Sequence, residues 1–299
     1  MAGETTLTTL SDSVLSYIIS AAIGGALTIP LTYNLISYIK DLSQDPTSTW
    51  RSIVRDDITD AVSVAEADDV TDASMTDSKV DISVSTIARS VLVTYEVANT
   101  TPFNEIVQAT FQVTGAVRRK IDALLLTDTT PNLTNESGDN STAMTYAQFV
   151  SFVMEAQAQW KDNPPLGSVL RAVLHSGPFQ ALVNDMMTTQ TSIFASTFGA
   201  ASAAQVLNAM GNGGMKNIAG VETLISDRVP VADTTGKGNI FTLVGGEAGS
   251  ALGIAVKWGV QGEMRATEKK LANRMIAHAR IGCGVVRDDY ALKAITAAA

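Results

Sequence analysis

A single cysteine, Cys283, and two histidines, His175 and His278, are all that 299 residues offer in thiol or imidazole groups. One thiol makes no internal disulfide, and these three residues do not complete a four-ligand metal cage. Aromatic residues are few, at 6%, and charged residues make up only 17%. Positive charge is the scarcer sign: 21 Lys and Arg against 30 Asp and Glu leave a formal net charge of -9. Such a surface repels nucleic acid as a whole, because nucleic acid favours basic footprints, so any contact of that kind must be local. What the chain does have is apolar bulk, 45% of its residues. A chain of this size buries roughly three quarters of its unfolded surface, enough for one large domain or two modest ones.

Catalytic patterns are equally sparse. Gly211-Asn212-Gly213-Gly214 and Gly236-Lys237-Gly238 lack the spacing of a phosphate loop or a dinucleotide turn and read as turns. His175 and Ser176 are adjacent at a strand end, where side chains point to opposite faces and share a hydrogen bond poorly. Cys283 sits between Gly282 and Gly284 without the acid or histidine spacing of cysteine enzymes. The pairs Asp56-Asp57, Asp68-Asp69 and Asp288-Asp289 lack the spacing and central glycine of a calcium loop. These patterns assign no catalytic, cofactor-binding or metal-ligating residue, and a small hydrolase built on His175 or His278 is the weakest functional reading.

Residues 13–39 carry no charge and are long enough to cross a bilayer. Against a span stand Gly24, Gly25, Pro30, Asn34 and several Ser and Thr, with Glu4 and Asp12 but no Lys or Arg ahead of them. A secretory signal would start basic. The segment therefore reads as an assembly or core element, with a membrane-associated surface protein as a rival. Three glycan-type triplets beginning at Asn132, Asn135 and Asn140 mark residues 129–143 as an exposed loop rather than a glycoprotein.

Periodicity organises the rest. Nine acids crowd residues 56–81, flanked by alternating Val62 and Val64 on one side and Val80, Ile82 and Val84 on the other. Period two around an acidic centre predicts a long hairpin whose tip lies in solvent or on a neighbour. After a break near 86–90, Val91, Val93, Tyr95 and Val97 alternate on the opposite parity, as across a bend or bulge. Thr101-Pro102 opens a long amphipathic helix ending near Leu126, its basic triplet Arg118, Arg119 and Lys120 on the flank. Thr145 and Gln148 form a capping box ahead of Tyr146, Phe149, Val150, Val153 and Trp160. A strand over Val169 to Leu174, a helix from Pro178, an Ala-rich helix from Ala200 to Met210 and strands at Gly220 to Ser226 and Asn239 to Val244 follow. Stretches from Glu263 to Ile295, with Arg274 and Arg280, read as two or three strands of one sheet. Charge is split: residues 55–81 carry a net of -7, and residues 241–299 a net of +3.

This order of elements resembles the major capsid proteins of tailed bacteriophages with the Hong Kong 97 type (HK97-like) fold. The residues carrying the likeness are Ala65-Glu66-Ala67-Asp68 with Val80 to Val97, the helical Arg118-Arg119-Lys120-Ile121-Asp122, Ala172 to Ser176 with Phe179 and Leu182, and above all Ile281 to Leu292. The resemblance implies an α+β fold with an N-terminal arm (1–55), a projecting E-loop hairpin and return strand (56–97), a spine helix with peripheral domain (98–165), an axial domain (166–262) and closing peripheral strands (263–299). It implies a non-enzymatic subunit, without cofactor, that self-assembles as hexamers and pentamers into an icosahedral shell around double-stranded DNA held without sequence-specific binding. Portal, scaffolding or decoration proteins are its further partners, no stable membrane association is expected, and the location is the virion, assembled in the host bacterial cytoplasm. An encapsulin-like compartment shell is the alternative. The expected intersubunit contacts set Asp56, Asp57, Asp60, Glu66, Asp68, Asp69 and Asp72 of one copy against Arg118, Arg119, Lys120, Arg274 or Arg280 of another.

Overall fold

The computed structural model describes residues 33–55, 63, 72, 77–96, 105–160, 167–197, 216–229, 238–247, 249–267 and 272–297. Two sheets and a separate ribbon organise them. The first sheet has four strands in the order β1 (Tyr38–Asp41), β10 (Leu252–Thr267), β11 (Ala272–Val285) and β4 (Ser85–Thr94). The second has six, in the order β5 (Glu136–Gly138), β12 (Ala291–Ile295), β9 (Asn239–Val244), β6 (Val169–Leu174), β8 (Val221–Ile225) and β7 (Lys216–Ile218). The ribbon pairs β2 (Thr49–Arg55) with β3 (Asp77–Ser83) antiparallel.

Helix α1 (Glu105–Ala123) packs on the first sheet because Ala109, Val113, Val117 and Ile121 recur at helical spacing and are buried. Thr110, in the same stripe, satisfies its hydroxyl by donating to the Ile106 carbonyl at 2.8 Å. The expected end near Leu126 gives way to a change of winding: the α-helix stops at Ala123 and continues as a π-helical segment, Leu124–Thr129. Thr129 Oγ1 donates to the Leu124 carbonyl there at 2.7 Å. Leu125 and Leu126 are fully buried in a core that also takes Ile254, Ala277 and Ile281 from the first sheet and Val173, Ile240 and Leu243 from the second. That shared core joins the two sheets.

Helix α2 (Tyr146–Gln159) begins at the expected capping box, in which Thr145 Oγ1 accepts from the Gln148 N–H and Gln148 Oε1 accepts from the Thr145 N–H. Together with α3 (Ser176–Thr197) it covers the other face of the second sheet. Phe149 and Phe152 stand 5.4 and 6.0 Å from the Phe241 ring. Because that sheet is covered on both faces, its strands read as continuous apolar runs, and all five residues of β12 are buried. Even Lys293 lies within it, at 9% exposure, 2.7 Å from Glu136.

Several sequence expectations shift. The closing strands are not one sheet: β10 and β11 form the long pair of the first, while β12 crosses to the second, between β5 and β9. Strand β10 starts at Leu252, well before Glu263. The interruption expected near 86–90 falls instead at Val84, buried between β3 and a continuous β4. The 129–143 stretch is not a plain loop, since it holds β5, paired parallel to β12. The Thr101-Pro102 cap, the 200–210 helix and the apolar segment up to residue 32 lie outside the described residues. Among those described, no helix is long and apolar enough to cross a membrane.

Candidate functional site

The ribbon β2–β3 has two chemically different faces because its pairs alternate. Trp50 opposite Ile82 and Ser52 opposite Val80 turn one way, while Arg51 opposite Asp81 and Ile53 opposite Lys79 turn the other. The first face seats the root: Trp50, Ile82 and Val84 are buried with Leu42, Ala255 and Val286. On the second, Arg51 grips Asp81 through two hydrogen bonds of 2.7 and 3.1 Å, which holds the Asp81 carboxyl below its ordinary range. On that same outward face Ile53 is 60% exposed. The described part of the outbound strand is Thr49–Arg55, and Val62 and Val64, expected on it, lie outside the described residues. Buried Ser52 and exposed Ile53 invert the apolar alternation there and disguise it.

Glycine makes the seat. A Cβ on Gly282 would fall 2.2 Å from the Ser83 carbonyl oxygen, and one on Gly253 would fall 2.4 Å from the Trp50 ring. Gly284 stands opposite Gly253, and Gly282 opposite Ala255, so the near end of the β10–β11 outer face is tiled with the smallest residues. The ribbon backbone approaches where side chains would otherwise stand.

Of the expected contact residues, Asp56, Asp57, Asp60, Glu66, Asp68 and Asp69 lie outside the described residues, and Asp72 is exposed. The basic partners do not form one patch. Arg118 is buried at 6% exposure on the core side of α1, beside Val117 and Ile121 in sequence register. Arg119 is exposed and folds back over Gly115, and Lys120 pairs with Asp128 at 3.2 Å. Arg280 is engaged within its own subunit, stacked 5.3 Å from the Trp258 ring and donating to Ser48 Oγ at 2.9 Å. Arg274 is exposed at the far end of the long pair, directly opposite Arg265, whose Nε meets Glu263 at 2.6 Å. Two like charges facing across a ladder repel, and the carboxylate beside them among the described residues, Glu263, already holds Arg265.

The residues weighed for chemistry have structural tasks. His175 caps α3, its carbonyl accepting from the Phe179 N–H at 3.0 Å and its Nδ1 from the Gly177 N–H at 3.2 Å. Ser176 Oγ is 3.5 Å from the same nitrogen, closer than opposite strand faces would allow, because the chain turns into the helix there. Burial, aided by the carboxylates of Asp122 and Asp128, pushes the Cys283 thiol up to about 12. A groove of about 270 Å³ between β4 and α1 is lined by Val91, Leu92, Val93, Glu105 and Gln108 among others, with Glu105 the one ionisable residue among the described ones. Among the described residues no cluster of His, Cys, Asp and Glu is placed to hold a metal. Asn135 spends its amide N–H on the Asp288 carbonyl at 3.0 Å, so one of the three triplets is already occupied.

No family model matches the chain, and no curated protein matches its sequence. Solved structures do match over almost its full length. The capsid of Helicobacter pylori bacteriophage KHP30 is 10% identical over 91% of this chain and 92% of its own, with a TM-score of 0.64. The capsid of Cyanophage P-SCSP1u is 13% identical over 88% and 87%, with a TM-score of 0.62. A virus-like particle from Pyrococcus furiosus is 8% identical over 93% and 97%, with a TM-score of 0.59. The chain has the α+β, HK97-like fold of phage capsid subunits. At these identities the likeness is one of fold.

Proposed function

We propose that this chain is the major capsid protein of a tailed bacteriophage, self-assembling as hexamers and pentamers into an icosahedral shell around double-stranded DNA. The observation that carries the reading is the match to capsid structures across about nine-tenths of both chains. In this reading α1 with the first sheet is the peripheral domain, the six-stranded sheet with α2 and α3 is the axial domain, and residues 56–76 are the tip of the E-loop. That tip holds seven acids and no base. Its counterpart on the next copy is the far end of the β10–β11 pair, where Arg265 and Arg274 oppose each other and Lys269 and Lys270 follow in sequence, with exposed Arg119 and Lys120 as a second contact. Exposed ion pairs are individually weak, and a closed lattice repeats them many times.

The net charge of -9 suits a container that does not grip its contents. Portal, scaffolding or decoration proteins are partners in this reading, the subunit is not an enzyme, and its place is the virion, after assembly in the host cytoplasm. The likeness to the Pyrococcus furiosus particle supports a second reading, a compartment shell of encapsulin type. Negative-stain electron microscopy of the purified chain tests both: closed icosahedral particles are expected, containing or accepting DNA in the first case and co-purifying with cargo enzymes in the second. A monodisperse compact monomer at all concentrations would contradict both.

A further inference from the structure

The turn between β9 and β10 carries Glu247, and its carboxylate is divided between two other elements. Oε2 meets Lys40 Nζ of β1 at 2.9 Å, and Oε1 accepts from the Trp50 indole N–H of β2 at 3.0 Å. Trp50 is 2% exposed, its ring lies over Gly253, and Tyr38 stands against it with ring centroids 5.9 Å apart. The linker from β1 to β2 is fixed from the side by Lys257, whose Nζ donates to the carbonyls of Asp45 and, at 3.1 Å, Thr47, and by Arg280 through Ser48.

We propose that Glu247 is a latch that sets the angle at which the hairpin leaves the subunit, joining the hairpin root, the arm strand and the turn between the two sheets through one carboxylate. The glycine seat alone is a smooth surface on which a flat ribbon can slide or lift. The indole N–H is a directional polar handle on the buried face of the root, and Glu247 holds it from a turn anchored in both sheets. Because the same carboxylate binds Lys40, displacement of the arm and displacement of the hairpin are coupled: moving either breaks a charge-assisted bond and leaves a partly buried carboxylate half-satisfied. The charged and titratable groups gathered at this point are Lys40 and Tyr38 of β1, Asp45 of the linker and Lys257 of β10. Lys40 and the two Trp50 and Glu247 groups make the bonds, while Asp45 and Lys257 hold the linker.

The consequence for shell building rests on the E-loop reading above, but the latch itself is a property of the free subunit and is tested there. Hydrogen exchange read by mass spectrometry on the unassembled full chain compares the parent with E247A. The amides of β2 and β3 are expected to exchange about tenfold faster in the variant, with β6 and β9 unchanged. Unchanged exchange at β2 and β3 would overturn the latch. If E247A instead loses protection throughout, site-specific replacement of Trp50 by its benzothiophene isostere decides, since sulfur in place of the N–H keeps the bicyclic ring and removes the donor: faster exchange confined to β2 and β3 supports the latch, and parental exchange overturns it. Microscopy of the same preparations reads shell formation separately.

Discussion

The outer face of the β10–β11 pair is two surfaces on one pair of strands. At its near end stand Gly253, Ala255, Gly282 and Gly284, covered by the hairpin root, and at its far end stand Glu263, Arg265 and Arg274, open to solvent. Ten residues of β11 separate Gly284 from Arg274, about 34 Å of strand. The same backbone geometry serves opposite purposes because residue size and charge change along it. The near end is built for the subunit's own chain, and the far end presents charge that the described residues of its own subunit leave unbalanced. Substitutions at the near end should therefore damage the folded subunit, and substitutions at the far end should spare it.

The strongest break is Trp50→Ala. Emptying the ring from the seat between Gly253, Ile82 and Val286 should lower unfolding free energy by about 4 kcal/mol, read by chemical denaturation. Gly282→Val follows, at about 2–3 kcal/mol, because its side chain meets a backbone carbonyl that cannot move without lifting β3. Arg274→Glu should leave stability within about 0.5 kcal/mol of the parent. Its effect appears in assembly instead: light scattering should show a weaker, less salt-sensitive reaction, as should the joint neutralisation of Asp68, Asp69 and Asp72. Unchanged shell yield across salt concentrations would remove the electrostatic part of the account.

Acid sharpens the comparison further. Burial pushes the Glu247 carboxyl upward, but the hydrogen bonds from Lys40 and Trp50 outweigh it and hold it below its ordinary value of 4.5. A depressed folded value means that the stabilisation is complete above the unfolded value and fades as pH falls through the folded one. Protection of the β2 and β3 amides, taken relative to the intrinsic exchange rate at each pH, should persist at pH 5 and fall only under more acidic conditions, before that of the six-stranded sheet. The smallest effect concerns Cys283: with its thiol pushed up to about 12, the native chain should react negligibly with thiol reagents at neutral pH and fully once unfolded.

Much of the fold was legible from local pattern. The capping box at Thr145, the apolar strands 169–174 and 239–244 and the stripe of α1 each depend on neighbours close in sequence. What depended on partners distant in sequence was not. Nothing local in Ala291 to Ile295 says that it leaves the first sheet for the second, and the alternation of β2 is masked by a buried serine and an exposed isoleucine. The contact residues show the same limit. Arg118 and Arg119 are adjacent and identical in type, yet a rotation of 100° along the helix buries one and exposes the other. Arg280, read from sequence as a surface charge, is drawn into the hairpin root by Ser48 and Trp258, 232 and 22 residues away. Glu247 carried no sequence signal at all, whereas Gly282 and Gly284, two apart on a strand and so on one face, are a pattern from which a close backbone approach could have been read.

Zero-length carbodiimide coupling of shells assembled from equal parts of light and ¹⁵N-labelled subunits tests the central claim most directly, since it joins carboxylates to amines in contact. The account predicts mixed-isotope peptides linking residues 56–76 of one copy to Lys269 or Lys270 of another. Coupling of that acidic segment only within a single copy, or to the sheet of its own subunit, would contradict it.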